Sequence, residues 1–93
     1  MLTVVVYDIS DNASRSNLIK QLQHFGLHRI QKSVFIGYLD LESRLDLSEN
    51  FELYLSSDKD SVILFPFCES CKDSILLSGD VELPVKEQVF RFI

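Results

Sequence analysis

The chain begins with an almost uninterrupted apolar run from Thr3 to Ser10, broken near its end by Asp8. Consecutive β-branched residues favour an extended backbone, and continuous rather than alternating hydrophobicity is typical of a strand covered on both faces. We therefore predict a buried first strand that places Asp8 at its carboxyl end. A carboxylate in that position needs backbone donors, a cation or water as its partner.

The spacing of apolar residues predicts the elements that follow. Ser10-Asp11-Asn12 supplies good helix N-caps, and Gly26 supplies the left-handed residue that ends the first helix. Gly37 predicts a bulge or bend, and Pro66 a strand that ends there or lies at a sheet edge. The predicted strands are 3–10, 27–39, 61–67 and 74–77, and the predicted helices are 13–25 and 40–55.

Four strands and two helices of these lengths predict an α+β fold close to a ferredoxin-like α/β sandwich, with both helices on one face of the sheet. The core domain would cover residues 1–77. In the tail, residues 78–93, alternation from Val85 to Ile93 predicts a terminal strand that pairs with a sheet edge of its own or a partner chain. Because two helices cover only one face, we also predict a two-fold homodimer with sheet against sheet.

Composition and charge narrow the function classes. Hydrophobic residues make up 46% of the 93-residue chain, which excludes a disordered protein. No apolar run approaches the ~20 residues of a membrane span, and no secretory signal pattern is present, so we expect a cytoplasmic protein without membrane contact. The net charge of −5 argues against a protein that coats nucleic acid. However, residues 1–44 balance to +1 and residues 45–93 to −6, so a nucleic-acid contact is expected from the first half.

Several motifs, in this order and spacing, resemble the CRISPR-associated protein 2 family, the small subunit of the spacer-acquisition machinery. The resemblance covers roughly residues 3–77. Its motifs are Tyr7-Asp8-Ile9-Ser10, a helix opening with Arg15, the segment from Gly26 to Phe35, and Asp60-Ser61-Val62 leading to Pro66-Phe67-Cys68.

The resemblance implies a homodimer in which both copies of Asp8 approach the two-fold axis and hold Mg²⁺ or Mn²⁺. Family members are described as metal-dependent endonucleases on single-stranded RNA or double-stranded DNA, and also as dimers that bridge two integrase dimers without needing their own nuclease activity. Both functions stay open at this point. The implied residues are Asp8 as metal ligand and catalytic group, Tyr7 and Phe35 lining the catalytic site, and Arg15, Arg29, Ser10 and Ser33 around the nucleic acid.

Each of these residues also has a purely structural interpretation. Without the resemblance, Asp8 is interpreted as a turn or helix-capping carboxylate, and Tyr7 and Phe35 as core residues. Arg15, Arg29 and Lys32 suit solvated surface bases. The chain also departs from many relatives at Asn17, where a second base is common, and at Ile36, where an acid is common.

Two cysteines, Cys68 and Cys71, have the spacing of half a zinc site or of a redox pair. Because the chain has no second pair, we expect reduced thiols, with zinc and redox roles as alternatives. His24 suits the end of the first helix, and neither His24 nor His28 receives a catalytic role.

Three hypotheses therefore remain. The first is a phosphodiesterase that depends on Asp8, and the second is a dimeric spacer between integrase dimers that docks through residues 85–93. The third is an unrelated ferredoxin-like module, such as a small-molecule regulator or a toxin ribonuclease, that depends on neither.

Overall fold

A computed structural model describes residues 1–72, 76–77 and 91–92 of the chain. Its strands are β1 (Leu2–Asp8), β2 (His28–Gln31), β3 (Val34–Tyr38), β4 (Ser61–Phe67), β5 (Leu76–Leu77) and β6 (Arg91–Phe92). Its helices are α1 (Asn12–His24), α2 (Leu41–Glu49) and the four-residue α3 (Glu69–Lys72), with a 3-10 helix at Phe51–Tyr54. The fold is thus of the α+β class that the sequence predicts.

The first strand is central in a four-stranded antiparallel sheet with the order β2-β3-β1-β4. Val5 of β1 lies between Phe35 of β3 and Leu64 of β4 in the register. The buried strand predicted at 3–10 is confirmed, with observed bounds of Leu2–Asp8 and with Asp8 at its carboxyl end. Pro66 lies in β4, an edge strand of this sheet, as its missing amide donor requires.

Both ends of α1 follow the sequence signals. Asp11 is the N-cap, and its carboxylate accepts a hydrogen bond from the backbone amide of Ser14 at 2.8 Å. This bond holds the pKa of Asp11 below its usual value. Gly26 has a φ of +88°, the left-handed conformation that ends a helix without strain in glycine.

The prediction of one strand over residues 27–39 is wrong, because this segment forms a hairpin of β2 and β3 around a turn at Lys32 and Ser33. The bulge is also not at Gly37. It lies in β2, where the register shifts between Arg29 and Gln31. Gly37 instead permits a close approach, since a Cβ there would lie 2.8 Å from Leu27 Cδ2.

Two further elements differ from the prediction. The second helix ends at Glu49, with Asn50 as its C-cap, and the chain continues as the 3-10 helix to Tyr54. Residues 76–77 do not join the main sheet but pair in parallel with residues 91–92 of the same chain. The fourth strand of the main sheet is therefore Ser61–Phe67. The rest of the predicted strands at 74–77 and 85–93 lies outside the described residues.

The hydrophobic core lies between the helices and one face of the sheet. Alternate residues of β1, Val5 and Tyr7, pack there with Leu18 and Leu22 of α1 and Leu47 of α2. The intervening β1 residues, Leu2, Val4, Val6 and Asp8, lie on the opposite face, which we call the open face.

Apart from Asp8, the β1 residues of the open face are apolar, and the face is only partly buried. Leu2 and Ile36 are buried, whereas Ile63 and Phe65 of β4 are 47% and 45% exposed. Among the described residues, no helix is long and apolar enough to cross a membrane.

Candidate functional site

A concave cavity of about 400 Å³ lies where β1 ends, between the β2–β3 turn and the first turn of α1. It contains three basic side chains and one carboxylate. The lining residues are Tyr7, Asp8, Ile9, Arg15, Arg29, Lys32 and Ser33. Hence the fold brings together Tyr7, Asp8, Arg15, Arg29 and Ser33, five of the residues that the family resemblance singled out.

Asp8 is exposed at the last position of β1, opposite Ser61 of β4. Within the described part of the chain, its side chain makes no hydrogen bond and no ion pair. The N-cap of α1 is Asp11, so Asp8 does not serve as a cap. Its carboxylate oxygens are therefore available to a cation, to water or to a second molecule.

Tyr7 joins β1 to the β2–β3 turn from inside the core. The residue is only 3% exposed, and its hydroxyl donates a hydrogen bond to the Lys32 carbonyl at 3.0 Å. The same hydroxyl accepts a hydrogen bond from Arg29 Nη2 at 3.3 Å. In addition, the Tyr7 amide donates to the Ser33 carbonyl at 3.1 Å. The turn that carries Lys32 and Ser33 is thus fixed beside Asp8.

Phe35 supports Arg29 without lining the cavity. The Phe35 ring is fully buried, and Arg29 Cζ lies 5.3 Å from its centroid, within cation–π distance. The Tyr7 and Phe35 ring centroids are 6.2 Å apart. The hydroxyl of Tyr7 and the ring of Phe35 therefore contact the guanidinium of Arg29 on its core side. Arg29 as a residue remains exposed.

Arg15 reaches the cavity from the first turn of α1. Its Nη1 donates to the Ile9 carbonyl at 3.0 Å, and its Nη2 donates to the side-chain oxygen of Asn12. Lys32, in contrast, has no side-chain hydrogen bond within the described residues. Two of the three cations are thus oriented by the fold, and the third is free to follow a ligand.

The charge of the cavity is opposite to that of the whole chain. Arg15, Arg29 and Lys32 against Asp8 give a formal charge of +2, in a protein whose net charge is −5. Guanidinium and ammonium groups that converge on a concave surface favour phosphate and other oxyanions. The cavity therefore suits an oxyanion such as phosphate that binds beside the carboxylate of Asp8.

Asp60 ties the segment after β1 to the segment before β4. Its carboxylate accepts hydrogen bonds from the amide and the hydroxyl of Ser10 at 3.0 and 2.9 Å, and from those of Ser56 at 2.9 and 3.0 Å. Ser57 Oγ donates to it at 3.1 Å. The donors of Ser56 and Ser10 hold the pKa of Asp60 far below its usual value. Ser10 is thus committed to Asp60 and does not line the cavity.

Three residues of this region have roles that the sequence does not predict. Lys32, expected to be a solvated surface base, lines the cavity because the β2–β3 turn places it there. Ile9 contributes a backbone carbonyl, which no side-chain pattern reveals. Asp60 lies fifty positions from Ser10, so only the pairing of β1 with β4 brings them together.

The residues present can be tested for their fit to a divalent cation. No group of three or more His, Cys, Asp or Glu side chains is placed to hold a metal ion within residues 1–72 and the other described positions. Among the described residues of one chain that line the cavity, Asp8 is the only carboxylate. Mg²⁺ is commonly held by one or two carboxylates, with water and phosphate oxygens as its other ligands. Two copies of Asp8 would fit that requirement.

Comparison with known proteins agrees with the motifs. A family model described as CRISPR associated protein Cas2 matches residues 1–75. The chain is 39% identical to the CRISPR-associated endoribonuclease Cas2 1 of Archaeoglobus fulgidus over 95 residues, covering 100% of both chains. The fold of this chain is similar to the crystal structure of a hypothetical protein, TT1823 from Thermus thermophilus, with a TM-score of 0.64 and 34% sequence identity. The match covers 72% of this chain and 80% of that chain.

A crystal structure described as cas2 is also similar, with a TM-score of 0.63 over 94% of this chain and 95% of that chain. At 24% identity this second likeness concerns the fold alone. The family model covers most of the sequence, including every residue that lines the cavity. The chain therefore belongs to the CRISPR-associated protein Cas2 family.

Proposed function

We propose that this protein is a metal-dependent endonuclease of CRISPR spacer acquisition that hydrolyses phosphodiester bonds of single-stranded RNA or double-stranded DNA. The observation that carries the proposal is the cavity at the end of β1, where the unpartnered carboxylate of Asp8 lies among Arg15, Arg29 and Lys32. Membership of the family supports the CRISPR role. The name of the Archaeoglobus relative, an endoribonuclease, supports the reaction class.

In this proposal the basic side chains bind the phosphate backbone on either side of the bond that is cleaved. Arg15 is oriented by its hydrogen bond to the Ile9 carbonyl, and Arg29 by the Tyr7 hydroxyl and the Phe35 ring. Because both guanidinium groups are already oriented, their side chains lose little rotamer freedom when phosphate binds. Ser33 adds a hydroxyl at the cavity wall. As a water molecule attacks phosphorus, negative charge grows on the non-bridging oxygens, and the fixed cations stabilise that charge.

Asp8 would hold the divalent cation, Mg²⁺ or Mn²⁺. Such an ion supplies Lewis-acid polarisation of the phosphoryl group and lowers the pKa of a bound water. Asp8 itself contributes its negative charge at the end of the central strand, where it is exposed and makes no hydrogen bond to a described residue. Tyr7 and Phe35 act as positioning residues for Arg29 and for the turn at Lys32.

The proposal includes a homodimer with the ferredoxin-like sheets packed open face to open face. Asp8 lies on the same face of β1 as Val4 and Val6, so an interface on that face brings a second Asp8 towards the first. The half-exposed Ile63 and Phe65 would be covered in the same interface. The strand order and antiparallel pairing are those expected of the ferredoxin-like arrangement.

The experiment is a cleavage assay with the purified full chain on end-labelled single-stranded RNA and double-stranded DNA. Each substrate is incubated with Mg²⁺, Mn²⁺ or EDTA, and nuclease activity is followed across the elution peak of the protein. We expect cutting that needs a divalent ion and coincides with the peak. An inactive protein, or cutting that persists in EDTA, would overturn the proposal, and an inactive protein would favour a non-catalytic spacer between two integrase dimers.

A further inference from the structure

Two thiols lie in contact at the far end of β4. Cys68 follows the last residue of β4, and Cys71 lies one helical turn later, in α3. Their sulfur atoms are 3.2 Å apart, and Cys68 Sγ is also 3.2 Å from Ser70 Oγ. Both cysteines are exposed. The sequence predicts reduced thiols, with a zinc site or a redox pair as alternatives, and does not by itself predict this contact.

The geometry requires little movement for a covalent bond. A disulfide has a sulfur–sulfur distance of about 2.05 Å, so the two atoms need to approach by roughly 1 Å. Residues three positions apart in a helical turn lie on the same face, and side-chain rotation can bring their sulfurs together. Since both side chains are open to solvent, a reagent can reach either sulfur.

The two thiols are also unequal. Hydrogen bonds with the hydroxyl of Ser70 and with the thiol of Cys71 lower the pKa of Cys68 to about 7. The hydrogen bond to Cys68, together with the charge of its thiolate, raises the pKa of Cys71. A large share of Cys68 is therefore thiolate near neutral pH, and thiolate is the form that attacks a disulfide.

We propose that Cys68 and Cys71 form a reversible intramolecular disulfide by exchange with a low-molecular-weight disulfide such as oxidised glutathione. The Cys68 thiolate attacks one sulfur of the reagent, forms a mixed disulfide and releases one glutathione thiolate. Cys71 then loses its proton and attacks Cys68 Sγ, which releases the second glutathione. The protein dithiol gives up two electrons and two protons, and the reagent is reduced to two thiols.

The dithiol is separate from the cavity of the proposed nuclease. Asp8 pairs with Ser61 at one end of β4, whereas Leu2 pairs with Phe67 at the other. The two ends are six residue steps apart, which span roughly 20 Å at ~3.4 Å per residue. Oxidation would therefore tighten the turn at the exit of the sheet without changing the cavity, and the inference stands or falls independently of the proposed function.

The test is equilibration of the reduced full chain in graded mixtures of reduced and oxidised glutathione, followed by acid quenching, alkylation and mass spectrometry. We expect the wild type to lose both free thiols together, within one chain and without a retained glutathione. Cys71→Ser should accumulate a single glutathione on Cys68. Cys68→Ser should react roughly five- to tenfold more slowly at pH 7, because a higher thiol pKa leaves less thiolate although each thiolate is more nucleophilic.

Three results would overturn the inference. The wild type could keep both thiols across the whole range of mixtures, or take up glutathione on both cysteines, or form disulfides only between chains on a non-reducing gel. Oligonucleotide binding by the oxidised and the reduced wild type serves as the control, and we expect the two forms to bind alike.

Discussion

Arg29 Nη2 donates a hydrogen bond to Tyr7 Oη at 3.3 Å, so an exposed cation of the cavity is attached to a tyrosine of the hydrophobic core. The same hydroxyl donates to the Lys32 carbonyl. One buried oxygen thus fixes the position of Arg29 and of the turn that carries Lys32. The shape of the cavity consequently depends on the packing of β1 against β2 and β3.

Replacing Tyr7 by Phe removes this oxygen and keeps the ring. We expect the free energy of unfolding to fall by about 0.5–1.5 kcal/mol, because the Lys32 carbonyl loses its donor and Arg29 its acceptor. The measurement is urea denaturation followed by circular dichroism. Tyr54→Phe is the matched control, since Tyr54 is half-buried and its hydroxyl makes no hydrogen bond within the described residues. Equal losses in the two variants would show that the Tyr7 hydroxyl has no special structural role.

Replacing Arg15, Arg29 or Lys32 by Ala should weaken binding to oligonucleotides of any sequence. Each lost phosphate contact should also reduce the slope of log affinity against log salt by about 0.7–0.9. Fluorescence anisotropy at several salt concentrations measures both quantities. Lys20→Ala removes the same charge from the exposed surface of α1. If Lys20→Ala weakens binding as much as the other variants, the anion site is not in this cavity.

Asp60→Asn tests how the segments after β1 and before β4 are held. We expect a lower melting temperature at pH 7, because an amide cannot accept all the hydrogen bonds that Ser10 and Ser56 donate to the carboxylate. Asp58→Asn, in the same loop, is the control, since Asp58 is exposed and has no hydrogen bond to a described residue.

The effect should depend on pH with a definite sign. The pKa of Asp60 is lowered by folding, so its contribution to stability is fully present above its unfolded pKa of about 3.9 and is lost as pH falls towards the folded pKa. The difference in melting temperature between wild type and Asp60→Asn should therefore shrink below about pH 4. A constant difference from pH 7 to pH 3 would contradict this account.

The first strand and first helix could be predicted from the sequence because their signals are local. A β-branched run forms β1, Asp11 caps α1 and Gly26 ends it. The sequence does not predict the β2–β3 hairpin, because its turn at Lys32 and Ser33 contains no glycine, proline, asparagine or aspartate. Among the described residues only Gly26 has positive φ, so this turn required no glycine or asparagine. The bulge after Arg29 further obscured the alternation.

The sequence predicts which residues belong to the candidate site, but it does not predict how their side chains are arranged relative to one another. The motifs identified Asp8, Arg15 and Arg29, but the role of the Tyr7 hydroxyl depends on a contact with Lys32 across the sheet. The contact of Asp60 with Ser10 likewise requires β1 to pair with β4. Contacts between distant segments follow from strand order, which local patterns do not encode.

The proposed dimer can be disrupted through the open face. Phe65→Lys places a charge in the proposed interface, where Phe65 is now 45% exposed, and we expect a monomer by light scattering after gel filtration. Leu53→Lys is the control, since Leu53 is 77% exposed in the 3-10 helix, away from the sheet face. An unchanged dimer in Phe65→Lys, with a circular dichroism spectrum like that of wild type, would place the interface elsewhere.

The central claim is that Asp8 is the catalytic carboxylate, and the most direct measurement is the cleavage rate of Asp8→Asn beside wild type and Asp46→Asn. Asp46 is exposed on α2 and serves as the charge-matched control. We expect the Mg²⁺-dependent rate of Asp8→Asn to fall at least about 100-fold. Its oligonucleotide affinity should be equal to or higher than that of wild type, because a negative charge is removed beside three cations. Cleavage by Asp8→Asn at the wild-type rate would contradict the claim.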